Sequence, residues 1–250
     1  MPIQRCPLCL QVKEVVSSHL MPRSLYKKSR GPGKKGNQDP LTVDASGKRP
    51  SSYQVEDHLL CPSCEDRFNR NGEHYVMQLL TTREGRFPLL EMLQKVTTSM
   101  VTSEWTGYAT ADTPNIDREK IAYFAISVFW RASIHIWKLE NAEEVKIDLG
   151  KKYNEEIRRY LLGETPIPLR AALTVVVCTD ARNQSTFFMP AENQKTRDRS
   201  VGFGARGMIF MFRIGKTMAP YQRRLSMINN QEGLITAYDC TKHSIWHLAS

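Results

Sequence analysis

The chain has 250 residues, 41% of them hydrophobic and 24% charged, with a formal net charge of +9. That length allows one large domain or two modest ones, and the apolar content suffices for a buried core. No run of about 18 apolar residues occurs, which predicts no membrane span, and Met1 to Arg5 lacks the apolar stretch of a secretory leader.

Near the start lies Cys6-Pro7-Leu8-Cys9, and further on Cys61-Pro62-Ser63-Cys64. The two-residue gap turns both sulfurs of a pair toward one ion, and four thiolates at about 2.3 Å complete a tetrahedral zinc shell. Each pair carries a proline, which favours a tight knuckle turn. Cys6, Cys9, Cys61 and Cys64 therefore predict one structural zinc site, with redox chemistry of the Cys-x-x-Cys pairs as the rival. Cys178 and Cys240 stand isolated in the sequence. This usage suits a reducing cytoplasm better than a disulfide scaffold. Cys178 ends the apolar run Leu173–Cys178 and reads as a buried thiol, not a nucleophile.

Residues 1–50 hold ten Lys/Arg and three acids, a net +7 against +9 for the chain. A basic segment beside a zinc module favours a phosphate-rich partner. Its plainer readings are a solvated loop and a counterweight to four thiolates.

After the first pair, Val12 to Val16 reads as one arm of a hairpin. Ser17-Ser18-His19-Leu20-Met21-Pro22 follows, and Arg23 to Lys28 can be helical. Residues 29–52, rich in Gly, Pro, Ser and Lys and including Gly31-Pro32-Gly33-Lys34-Lys35-Gly36, predict a mobile loop. Glu56-Asp57-His58-Leu59-Leu60 leads into the second pair, and Pro62 to Leu80 reads as a helix. Downstream, Pro88 to Thr98 has helical spacing. Residues 117–139 place Ile121, Ala125, Val128, Phe129, Ala132 and Ile136 on one face of a long helix. Tyr153 to Leu162 reads as a charged helix ended by Gly163, Pro166 and Pro168. Strand-like runs follow at Leu173–Cys178, Ser185–Met189 and Met208–Ile214, with a last strand at 244–248. On the long helix Arg131 is the odd residue. A buried arginine needs an acid or anion as partner.

The order knuckle, hairpin with a histidine, loop, second knuckle, helix resembles the HNH (ββα-metal) nuclease family in its zinc-bound, treble-clef form, over residues 1–80 alone. It is also similar to bacterial proteins that share a Cys-x-x-Cys, Ser-His-x-x-Pro, Leu-Leu-Cys-x-x-Cys-Glu layout, a likeness that adds no activity. The HNH resemblance implies that His19 is the general base that activates water, with His58 the second catalytic candidate. It implies that Glu65 and Asn69, four residues apart on the helix, hold a catalytic Mg²⁺ or Mn²⁺. The residue before the histidine is Ser18, a poor ligand, so Asp57 or His58, water or a backbone oxygen would have to replace it. No asparagine occupies 56–58 to orient the base. Arg23, Lys27, Lys28, Lys34 and Lys35 would hold the phosphate backbone. These residues also have plainer readings: His19 as a histidine bonded to backbone near the zinc, Glu65 as a carboxylate at a helix start, Asn69 as an exposed residue.

The expected fold is α+β: an N-terminal zinc-bound ββα module over 1–80, then a helical segment and a mixed α+β region to 250. Three functions fit. One is a metal-dependent HNH-type endonuclease on nucleic acid, DNA before RNA, in genome defence or a mobile element. Another is a non-catalytic zinc module that binds nucleic acid. The third is a regulatory subunit in which zinc only staples the fold and the C-terminal region meets a protein partner.

Overall fold

The computed structural model describes residues 1–30, 39, 41–44, 47–193, 199–216 and 218–241, with backbone alone at 41–44, 47 and 48. Lys34, Lys35 and the strand expected at 244–248 lie outside the described residues. The chain is mixed α+β.

The N-terminal part is built from short pieces. β1 (Ile3–Arg5) and β2 (Val12–Glu14) form a hairpin around the first cysteine pair. β3 (Val16–His19) leads to α1 (Arg23–Ser29). Within the segment expected to be a loop, β4 (Leu41–Asp44) and β5 (Gly47–Pro50) pair antiparallel. β6 (Glu56–Leu60) then pairs antiparallel with β3, setting His19 opposite Glu56.

The helix expected over 62–80 is one rod with a widened turn. α2 (Pro62–Phe68) passes through a π-helical turn at Asn69–Glu73 into α3 (His74–Leu79). Proline fits its first position, where no N–H partner exists. The π turn coincides with Gly72. A Cβ there would lie 2.7 Å from the Phe124 nitrogen and 2.9 Å from its Cα. Glycine thus lets this rod cross the long central helix nearly backbone to backbone.

α4 (Pro88–Leu93), β7 (Met100–Val101) and β8 (Trp105–Ala109) precede that central helix, α5 (Arg118–Ile134). Asp117 caps its start, accepting from the Lys120 N–H at 3.0 Å. Every residue from Ile121 to Ser133 is buried, as befits a helix that is apolar all round. It stops five residues before the expected 139. The Arg131 carbonyl accepts from the Trp137 indole (3.0 Å) and the Ala132 carbonyl from the Ile147 N–H (3.2 Å). These outside donors satisfy the orphan carbonyls of a helix end. Trp137 is thereby buried in β9 (Trp137–Lys138), which pairs with β10 (Glu144–Val145), and Ile136 is left exposed.

After α6 (Lys151–Leu162) come β11 (Ala171–Cys178), α7 (Ala181–Gln184), β12 (Phe187–Glu192), β13 (Arg199–Ala205), β14 (Met208–Ile214), α8 (Pro220–Arg224) and β15 (Leu234–Tyr238). A seven-stranded sheet runs β12-β13-β14-β11-β15-β8-β7, antiparallel except where β11 meets β15. α5 lies between this sheet and the α2–α3 rod. Phe124 packs edge-on against Phe203 and Phe210, while Phe129 stacks on Phe212. On the other side, Phe68 of α2 meets Tyr123 and Trp130 edge-on. One apolar core runs from Cys6 to Ala237, across the boundary expected at residue 80.

Candidate functional site

The cysteines come together first. Cys6 follows β1, and the Leu10 N–H turns back to its carbonyl at 2.8 Å. Cys61 begins α2, where its carbonyl accepts from Cys64 and Glu65 N–H groups, each at 3.0 Å. The four sulfurs lie within 4.8 Å of one another, with Cys9 and Cys61 3.9 Å apart. Two thiolates in a tetrahedral zinc shell sit about 3.8 Å apart, so this group can hold zinc. A hydrogen bond from Cys64, joined by backbone N–H groups of Cys61, Cys9 and Leu8, holds the Cys6 thiol down to about 4 against the opposing effect of burial. The thiolate is the metal-binding form. From α6, Arg158 donates to the Leu8 carbonyl at 2.7 Å, fastening this knuckle to the rest of the chain.

Both elements that leave the cysteine group wall a cavity of about 410 Å³. From the β3 side come Val16, His19, Pro22 and Arg23. The helical rod contributes Glu65, Asp66, Asn69 and Glu73, and α5 contributes Arg131. Glu65, Asn69 and Glu73 share one face of the rod because they lie one turn apart.

His19, Ser18, Glu65 and Arg131 have defined partners. His19 is 9% exposed, and its Nε2 lies 3.0 Å from Gln54 Oε1 and 3.1 Å from Glu56 Oε2. A carboxylate only accepts, so Nε2 carries the proton and the neutral ring keeps its lone pair on Nδ1. Burial lowers the His19 pKa below its ordinary 6.5, with Glu56 and Gln54 pulling the other way. Ser18, fully buried, donates to Glu65 Oε2 at 2.9 Å and accepts from the Leu60 N–H at 3.1 Å. Burial raises the Glu65 pKa, and the positive Arg131 opposes that rise. Arg131, fully buried, donates to the His19 carbonyl (2.8 Å) and to Glu73 Oε1 (2.6 Å), and lies over the Phe68 ring at 5.3 Å. Its Nε has no hydrogen-bond partner.

His19, Glu65, Asn69 and Arg23 thus meet at one cavity. Asp57 and His58 do not line it. Asp57 lies 2.9 Å from His135 Nε2, and its other oxygen accepts from the His58 N–H at 2.7 Å. His58 is exposed, and its carbonyl takes the Gln4 amide at 2.7 Å. Lys27 is exposed on α1, one turn after Arg23, and its carbonyl accepts from Arg83; Lys28 is half-buried. Among the described residues, two groups of His, Cys, Asp and Glu bring three or more ligand atoms within 4.8 Å of one another: the four cysteines, and Cys178, Asp180 and Cys240.

No family model, curated protein or solved structure matches the chain. No helix among the described residues is long and apolar enough to cross a membrane.

Sequence reasoning singles out Arg131 by its apolar setting. It has no means of joining it to Glu73, 58 residues away. Of the two residues that set the tautomer of His19, Gln54 carries no motif signal, whereas Glu56 stands in the stretch where the resemblance expects a residue that orients the base.

Proposed function

We propose that this chain is a metal-dependent, HNH-type endonuclease that hydrolyses phosphodiester bonds of nucleic acid, with zinc at the four cysteines as its structural clamp. The observation that supports this most is the cavity. His19, Glu65 and Asn69 open on one space, and the two elements that carry them depart from the cysteine group. Base, water and phosphate must share a volume of that kind.

In this reading neutral His19 takes a proton from water through Nδ1, while the Gln54 and Glu56 side chains hold Nε2–H. Glu65 and Asn69 would hold Mg²⁺ or Mn²⁺, which when bound offsets negative charge on the phosphate and the leaving oxygen. The donor set fits such an ion: Mg²⁺ uses one or two carboxylates and completes its shell with water and substrate phosphate. Arg23 in the cavity wall and Lys27 one turn along α1 offer charges for the phosphates on either side.

A second reading, a module that binds nucleic acid without cleaving it, draws on the Ser18 hydroxyl already bonded to Glu65 and on the guanidinium of Arg131 in the same wall. Cleavage separates the two. Purified protein should relax supercoiled plasmid with Mg²⁺ or Mn²⁺, and His19→Ala should abolish it. Intact plasmid with tight binding would favour the second reading.

A further inference from the structure

Cys178 and Cys240 are 62 residues apart in sequence, yet their sulfurs lie 2.6 Å apart. The fold explains the meeting. Cys178 ends β11, the strand to which both β14 and β15 pair, and it sits opposite Tyr238 of the parallel neighbour β15. Two residues beyond Tyr238 the chain turns, and the Cys240 N–H donates to Asp180 Oδ2 at 3.0 Å. Asp180 in turn is held by Asn183, whose backbone N–H (2.8 Å) and side-chain amide (2.9 Å) both donate to Oδ1. The pair is therefore positioned by the end of β11, the turn after β15 and a carboxylate that fixes that turn. Cys178 is 1% exposed, and Val176, Ile209, Met211 and Tyr238 pack around it. Cys240 is half-buried.

The geometry differs from that of the first cysteine group. Two sulfurs on one tetrahedral ion stand about 3.8 Å apart, as Cys9 and Cys61 do at 3.9 Å. Cys178 and Cys240 stand closer, at 2.6 Å, and with Asp180 they make a group of two sulfurs and one carboxylate where the first group has four sulfurs. Asp180, the third member of the group, already has both oxygens engaged by protein donors.

We propose that Cys178 and Cys240 are a reversible dithiol–disulfide pair, a redox modification site separate from the zinc cysteines. The oxidant is a low-molecular-weight disulfide such as glutathione disulfide. Cys240, the more accessible sulfur, attacks as thiolate and expels one glutathione thiol, leaving a mixed disulfide. Cys178, read from the sequence as a buried thiol and not a nucleophile, here loses its proton and attacks the adjacent Cys240 sulfur, expelling the second glutathione. The protein gives up two electrons and two protons, and the disulfide becomes two thiols. The bond fastens the chain after β15 to the end of β11. Excess reduced glutathione reverses each step.

The test uses the full, zinc-replete chain, equilibrated in buffers of graded reduced and oxidised glutathione, then acid-quenched, alkylated and mapped by mass spectrometry. A linked Cys178–Cys240 peptide should rise with oxidation and vanish with dithiothreitol, while Cys6, Cys9, Cys61 and Cys64 stay unlinked. The oxidised form should melt above the reduced form by about 5 °C or more, because the bond closes a long loop. Cys240→Ser should remove both effects. A persistent glutathione adduct on Cys240, a linked dimer, a second zinc per chain that protects both sulfurs, or no linked peptide at any ratio would overturn the proposal.

Discussion

Replacing Arg131 by methionine is the sharpest test of how the cavity is held. Arg131 has a side-chain exposure of 0%, and its partner Glu73 one of 12%. The guanidinium joins three elements: its own α5, the rod through Glu73 and β3 through the His19 carbonyl. Methionine fills similar space over Phe68 and leaves a largely buried carboxylate and a backbone carbonyl without their donor. Breaking a buried ion pair from one side costs about 3–5 kcal/mol. For a chain of this size that lowers Tm by roughly 6–20 °C. Removing both charges of the pair, as in Arg131→Met with Glu73→Leu, no longer strands the Glu73 carboxylate, so the double variant should be more stable than the two single losses added together predict. Neighbouring residues in one network couple by about 0.5–3 kcal/mol. Urea unfolding of the four proteins, followed by tryptophan fluorescence, gives the cycle. A single-variant loss under about 1 kcal/mol, or losses that add within about 0.5 kcal/mol, would refute the claim that this pair locks the cavity.

The remaining predictions are shorter. Protein purified without added metal should carry about one zinc per chain by elemental analysis, and Cys6→Ser or chelation should unfold the N-terminal strands; a metal-free, fully folded protein would contradict this. Gly72→Ala should destabilise by about 1–3 kcal/mol despite the better helix propensity of alanine, since its Cβ would press on the Phe124 backbone; a variant melting at or above the parent temperature would contradict the close crossing. His19 is held neutral by burial, its folded pKa below 6.5. Its share of stability is therefore complete above about pH 6.5 and is lost as pH falls through the lowered folded value, because the unfolded histidine takes the proton first. The stability difference between the parent and His19→Gln should shrink across that window, and a difference independent of pH would count against a neutral buried ring.

Local chemistry made part of this protein legible from its residues. The two cysteine pairs announce their meeting through spacing, and the apolar rows of α5, β11 and β14 announce buried elements. Glycine hides others. β13 reads Arg199-Ser200-Val201-Gly202-Phe203-Gly204-Ala205 and gives no strand pattern, yet at Gly204 the missing side chain leaves room for the Phe188 ring. The π turn at Asn69–Glu73 has no periodicity of its own. It is legible only as a glycine in a helix, a residue that costs stability unless something approaches closely. The cavity was half legible. His19, Glu65 and Asn69 stand at positions the family pattern indicates, whereas Arg131 reaches His19 across 112 residues, a distance that no local pattern encodes. Cys178 and Cys240 stand apart in sequence for the same reason, since the parallel β11–β15 pairing that unites them is a long-range event.

The most direct measurement separates turnover from binding on a labelled DNA duplex. Cleavage rate and dissociation constant would be taken with Mg²⁺ and with Mn²⁺ for the parent, His19→Ala and Glu65→Gln. The account predicts metal-dependent cleavage by the parent, and a loss of about 10²–10⁴ in rate for His19→Ala at nearly unchanged affinity, the range expected when a general base is removed. Equal rates in parent and His19→Ala, or tight binding with no cleavage by any of the three, would contradict it.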